Sequence, residues 1–133
     1  MELTVNSTFV YPLTAMENSK AKTFGQRLQE LRRIAGISQR DLAAQVGVDF
    51  SYISKVENDR LPPPAADTIV KVCEILQVPS NELLALTGKV PSDIKEMLGT
   101  NPSAQQFIRQ AQEMSLSDEE WQLLTKRLKR LRA

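Results

Sequence analysis

Between Gln39 and Arg60 the chain gathers side chains that donate hydrogen bonds or carry positive charge. Gln39 and Asn58 bring amides, Ser51 and Ser54 hydroxyls, Arg40 and Arg60 guanidinium forks and Lys55 an ammonium, with Phe50 and Tyr52 among them. Such groups hold anions and engage flat hydrogen-bonding edges, and nothing nearby is placed to turn them to bond-making. The rest of the chain supplies no reaction either. It contains no histidine, which removes the commonest general base and the commonest metal ligand. The one cysteine, Cys73, excludes an internal disulfide and a cysteine-based zinc site. It falls with Ile69, Val72 and Leu76 on one apolar helix face, the pattern of a buried core thiol rather than a redox switch. With no metal-ligand cluster and no phosphate-binding glycine loop, the expectation is a protein that is not an enzyme and needs no metal or cofactor.

The elements that must position these side chains are helices. Ser38 can cap a helix on which Leu42, Ala43 and Val46 recur at helical spacing, with Asp41 as a weak capping-box partner. Gly47 permits a left-handed turn, and Asp49 can cap a second short helix whose Ile53 and Val56 face the first. Those two commitments leave Phe50, Ser51, Ser54 and Lys55 pointing outward. Upstream, Thr23 and Gln26 form a capping box for a helix with Phe24, Leu28, Leu31 and Ile34 at helical spacing, ending at Gly36. Three prolines at 62–64 force a loop. A fourth helix is expected from about Ala65 to Gln77, and a fifth starts at Pro79 and Ser80, with Leu83, Leu84 and Leu86 closing the core before Gly88.

The stretch GISQRDLAAQVGVDFSYISKVEN at 36–58 resembles the helix-turn-helix of the Xre/Cro phage-repressor family. SQRDLA, the turn GV and YISKVEN come in the family's order, and the likeness extends from FGQRLQELRR to LLALTG. The resemblance implies an all-α, five-helix phage-repressor-like DNA-binding domain over 23–88 with a recognition helix at about 49–57. By the same likeness Phe50, Ser51, Ser54 and Lys55 would reach base edges, Lys55 toward guanine O6 and N7 and Phe50 toward a thymine methyl. Gln39, Arg40, Tyr52, Asn58 and Arg60 would meet phosphates, Tyr52 alternatively packing against the turn. Arg32 and Glu57 occupy positions that pair in the family as a partly buried ion pair. For every contact residue the plain alternative is a solvated helix face.

Charge alone does not advertise a polyanion partner: 17 basic residues stand against 16 acidic ones. Any affinity for double-stranded DNA would then rest on a local basic face and on base readout. No apolar run reaches membrane-spanning length and no signal-peptide pattern opens the chain, so the expected setting is cytoplasmic with no membrane partner. Residues 1–22 differ in composition. Leu3, Val5, Phe9, Tyr11 and Leu13 alternate with polar positions, which fits either an extended arm that pairs with another sheet or a disordered tail. Met16 could begin a shorter product.

Residues 89–133 are expected as a small C-terminal helical region for dimerisation or regulation. Short helices are expected at about 92–98 and 102–113, the latter with Asn101 as cap and Pro102 at its first position. Ser117 and Glu120 then cap a last helix running to the end of the chain. Trp121, Leu124, Leu128 and Leu131 form an apolar stripe on it. Because one recognition helix reads only a few base pairs, a homodimer on a palindromic operator is the expected working form, with this stripe as the adhesive. Intramolecular packing against 92–113, or a basic DNA arm built on Lys126, Arg127, Lys129, Arg130 and Arg132, are the other readings. The segment LLALTGKVPSDIKEML also resembles the region after the helix-turn-helix in small repressors relieved by a zinc metallopeptidase of the ImmA/IrrE type. The leading function is a transcriptional repressor. The alternatives are an antitoxin that binds a toxin through its C-terminal helices and, further off, a protein-interaction module without DNA binding.

Overall fold

The computed structural model describes residues 22–133. The extended arm expected over 1–22 therefore lies, Lys22 apart, outside the described residues. Among the described residues the structure is all-helical: α1 (Phe24–Ala35), α2 (Gln39–Val46), α3 (Phe50–Glu57), α4 (Ala66–Leu76), α5 (Asn81–Thr87), α6 (Ser92–Thr100), α7 (Pro102–Met114) and α8 (Asp118–Lys129). They divide into two compact units that part between Ser92 and Asp93.

In the first unit α1 begins at a complete capping box. Thr23 Oγ1 accepts the Gln26 amide and Gln26 Oε1 accepts the Thr23 amide, each at 3.1 Å. Ser38 caps α2 by accepting the Asp41 amide at 3.0 Å. Gly47 ends α2 at φ 92°, a left-handed turn that a Cβ would oppose. Lys71 of α4 donates its ammonium to the Val46 carbonyl at 3.1 Å, satisfying one acceptor that the end of α2 leaves open. Helices α1 to α5 close on one core of Phe24, Leu28, Leu31, Leu42, Ala43, Val46, Ile53, Val56, Ile69, Val72, Cys73, Leu76, Val78 and Leu83. At about 25 cal/mol per Å² this apolar burial is the main term holding the unit together. Helix α3 lies against both α2 and α1, while α1 also meets α5.

Several expectations need correction. Asp49 occupies the cap position of α3 but makes no side-chain capping bond. Ser80, before α5, makes none either, and that helix starts at Asn81 rather than at Pro79. Ile34 and Leu86, expected inside, are 37% and 43% exposed. The inward place one turn before Leu31 is taken by Arg27, which is fully buried. It donates from Nε and Nη2 to the two Glu82 carboxylate oxygens at 2.6 and 3.0 Å, and from Nη1 to Glu30 at 2.7 Å. A charge-assisted fork thus ties α1 to α5.

The second unit contains most of α6 with α7 and α8. Asn101 accepts the Ala104 amide with Pro102 in the first turn of α7. Ser117 and Glu120 form the complete capping box of α8, which ends at Lys129 and gives way to a turn before the end of the chain. Among the described residues of this unit, Ala111 alone is buried. Phe107, Ala111, Met114, Leu116, Leu123 and Leu124 line an open apolar groove of about 360 Å³.

Candidate nucleic-acid interface

Helices α2 and α3 are held at their angle from behind by the core and from one end by a polar clasp. Arg32 of α1 donates Nε to Glu57 Oε2 at 2.6 Å and Nη2 to Glu57 Oε1 at 3.0 Å. Its Nη1 donates to the Ile37 carbonyl at 2.9 Å, so one guanidinium joins α1, the α1–α2 connection and the end of α3. Gln39 Nε2 donates to Glu57 Oε1 at 2.8 Å and brings in the first residue of α2. The Glu57 carboxylate is buried and enclosed by these donors, so it presents little negative charge to an approaching anion.

The opposite end of the clasp is a close approach of backbones. A Cβ on Gly25 would lie 2.3 Å from the Val56 carbonyl oxygen and 2.8 Å from that of Glu57. Glycine is therefore required where α1 crosses the last turn of α3. Thr23 Oγ1 donates to Asp59 Oδ2 at 2.8 Å, fastening the start of α1 to the loop after α3. Asp59 itself holds a left-handed backbone at φ 60°, a conformation aspartate tolerates better than most residues.

With α3 so fixed, Phe50, Ser51 and Lys55 are exposed and Ser54 is half-buried, all on the face away from Ile53 and Val56. Tyr52 is half-buried and packs against the core. Asn58 Nδ2 donates to the Ser54 carbonyl at 2.9 Å and so helps finish α3. Arg60 is exposed in the following loop. Arg40, also exposed, has its guanidinium carbon 4.5 Å from the centroid of the Phe50 ring. Such a cation–π contact at the surface contributes about 0.5–1 kcal/mol.

Arg40 and Phe50 line a shallow groove of about 470 Å³ with Gln29, Arg32, Arg33, Ser38 and Gln39. The amides that open α2 contribute partial positive charge to the same place. Arg33 and Gln29 were not among the candidates from sequence. Arg33 stands in the last turn of α1, where a basic residue also suits the helix dipole, so its type alone gave no sign of a second use. Arg27 and Gly25 were missed as well. A buried arginine at an apolar position and a glycine at a helix crossing declare themselves only once the packing partner is known.

Two short helices fixed by a core, a clasp and a glycine crossing, with the outer face of the second left free beside a basic groove, define a helix-turn-helix unit. Residues 25–89 match the helix-turn-helix domain family. The resemblance to Xre/Cro-type regulators is borne out by this match. The chain is 38% identical over 76 residues to the HTH-type transcriptional regulator RghRB of Bacillus subtilis, an overlap covering 55% of this chain and 55% of that one. It thus spans about half the length of that relative. The HTH-type transcriptional repressor RghR of the same organism is 27% identical over 111 residues, covering 79% of this chain and 82% of the relative. Among solved structures, SinR, a master regulator for biofilm formation, in complex with DNA is 34% identical over 47% of this chain and 98% of that one, with a TM-score of 0.44.

Proposed function

We propose that the protein is a sequence-specific DNA-binding transcriptional repressor that acts in the cytoplasm as a homodimer on a palindromic operator. The observation that carries this reading is the fixed, outward face of α3, with Phe50, Ser51 and Lys55 exposed beside the Arg33- and Arg40-lined groove. Inserted into a major groove, that face offers Ser51, Ser54 and Lys55 to base edges. The backbone amides at the start of α2 and the loop carrying Arg60 would meet the flanking phosphates. Gln39 and Asn58 already spend side-chain donors within the protein. Their phosphate contacts would come from their remaining N–H groups. RghR and RghRB support the reading as relatives that are themselves a transcriptional repressor and a transcriptional regulator.

The homodimer rests on the second unit. Leu128 and Leu131 are 64% and 76% exposed and Trp121 is 41% exposed, alongside the apolar groove. Apolar surface on this scale, around a unit with so little core of its own, fits a partner surface better than solvent. Charge favours a second copy: α8 carries Asp118, Glu119 and Glu120 in its first turn and Lys126, Arg127 and Lys129 in its last. Two such helices packed antiparallel would match acid to base at both ends. A toxin or a metallopeptidase acting on this region gains no specific support.

Selection of bound sites from random-sequence DNA tests the proposal. The expected product is an inverted repeat whose half-sites are centred about 10 base pairs, or one further turn, apart. Recovery of unenriched sequence would contradict it.

A further inference from the structure

The pairing of Arg40 with Phe50 has a use beyond stability. We propose that Arg40 is a base-reading residue: standing on α2, it is delivered to the reading end of α3 by the ring of Phe50, and together they recognise a guanine beside a thymine in each half-site. This rests on the DNA-binding reading above and adds to it a residue, a base step and a geometry.

A guanidinium stacked on an aromatic ring uses its π face. Its N–H donors lie in the plane and remain available as a fork. Arg40 makes no hydrogen bond or ion pair among the described residues, so that fork is uncommitted. The stack, with its guanidinium carbon 4.5 Å from the ring centroid, also limits the conformations that would have to be frozen on binding. The candidates beside it from Gln39 to Asn58 do not offer the same thing. Gln39 is engaged by Glu57 and Asn58 by the Ser54 carbonyl. The hydroxyls of Ser51 and Ser54 can either donate or accept and so discriminate poorly, and Lys55 is a point charge without a fork.

A fork fits a phosphate as well as a guanine edge, and the position of Phe50 separates the two. Phe50 is the first residue of α3, the end whose side chains reach base edges in this docking mode. Phe50 as a whole is still 39% exposed with the arginine in place. One rigid pair therefore presents an apolar edge and a bidentate donor side by side. In the major groove that pattern is matched by a thymine methyl next to guanine O6 and N7. A phosphate offers no apolar surface and would leave the ring facing water.

The test is site selection from random DNA with the full chain and with Arg40→Ala, Arg40→Lys and Phe50→Leu, all exposed positions, with folding checked by circular dichroism. The wild type should enrich guanine at one half-site position and thymine beside it. R40A and R40K should lose the guanine preference while keeping the rest of the site, and F50L should relax both positions. Replacing that guanine by 7-deazaguanine should weaken wild-type binding about tenfold and R40A binding hardly at all. The inference is overturned if R40A and R40K select the wild-type sequence with affinity lowered evenly and a shallower salt dependence, which is the behaviour of a phosphate contact. A wild type that selects no sequence would remove the DNA-binding reading itself, a distinguishable result.

Discussion

Glu57 shows how much one buried side chain can organise. Its two oxygens receive Arg32 and Gln39, so its loss would leave a buried guanidinium without its counter-charge and free the end of α3. Glu57→Ala is expected to cost about 3–5 kcal/mol, as breaking a buried pair does, and chemical denaturation of the two proteins would measure it. Gly25→Ala should cost about 1–3 kcal/mol or more, because the new methyl meets backbone oxygens that cannot swing aside. Gly99→Ala, where nothing lies within 4 Å of an added Cβ, is the control. Arg32 and Glu57 were legible in sequence through the family resemblance, whereas Gly25 and Arg27 were not, since neither sits in a recognisable pattern. Cys73 gives a pH signature. Burial, helped by the charges of Glu82 and Glu74, pushes its thiol up from 9.0 to about 12. Above about pH 9 the unfolded chain would release this proton while the folded protein keeps it, so folding stability should fall as the pH rises from about 9 toward 12. Cys73→Ala should flatten that part of the stability–pH profile. Native Cys73 should resist alkylation at neutral pH.

At the scale of elements, caps and periodicity placed the helices well because each is a local signal. Thr23 with Gln26, Ser117 with Glu120, and Asn101 with Pro102 all mark helix starts within a turn of sequence. Asp49 and Ser80 show the limit: residue type fits a cap, yet neither side chain makes the bond. Which face of a helix is buried was harder to read. Ile34 and Leu86 followed the apolar stripe yet stay partly open to solvent, so periodicity alone did not mark the edge of the buried face. The outward face of α3 was legible only by subtraction, once Ile53 and Val56 were assigned inward. The Arg40–Phe50 pair brings together residues of two helices, and sequence spacing gives no hint of it. Ser117→Ala should remove about 1 kcal/mol of helix stability from α8. A lower helical signal and earlier loss of that unit on heating would report it.

At the scale of the whole molecule, the proposed function divides the work between the two units: the first would read DNA and the second would hold the dimer. Leu123→Glu and Leu128→Glu, both at exposed positions, should shift the protein in sedimentation from a dimer toward a single 14.9 kDa chain without unfolding α1 to α5. They should also weaken operator binding far more than half-site binding. Wild-type protein that sediments as a monomer at concentrations where it binds its operator would contradict the homodimer. The central claim is that the face formed by the start of α2 and the outside of α3 reads DNA sequence. The most direct measurement is the ratio of affinities for a selected site and for scrambled DNA at fixed salt, taken for wild type and for the Ser51→Ala, Lys55→Ala double variant. The account predicts a wild-type ratio on the order of a thousand or more that collapses toward one in the variant while its fold stays intact. A ratio unchanged by removal of both side chains would contradict it.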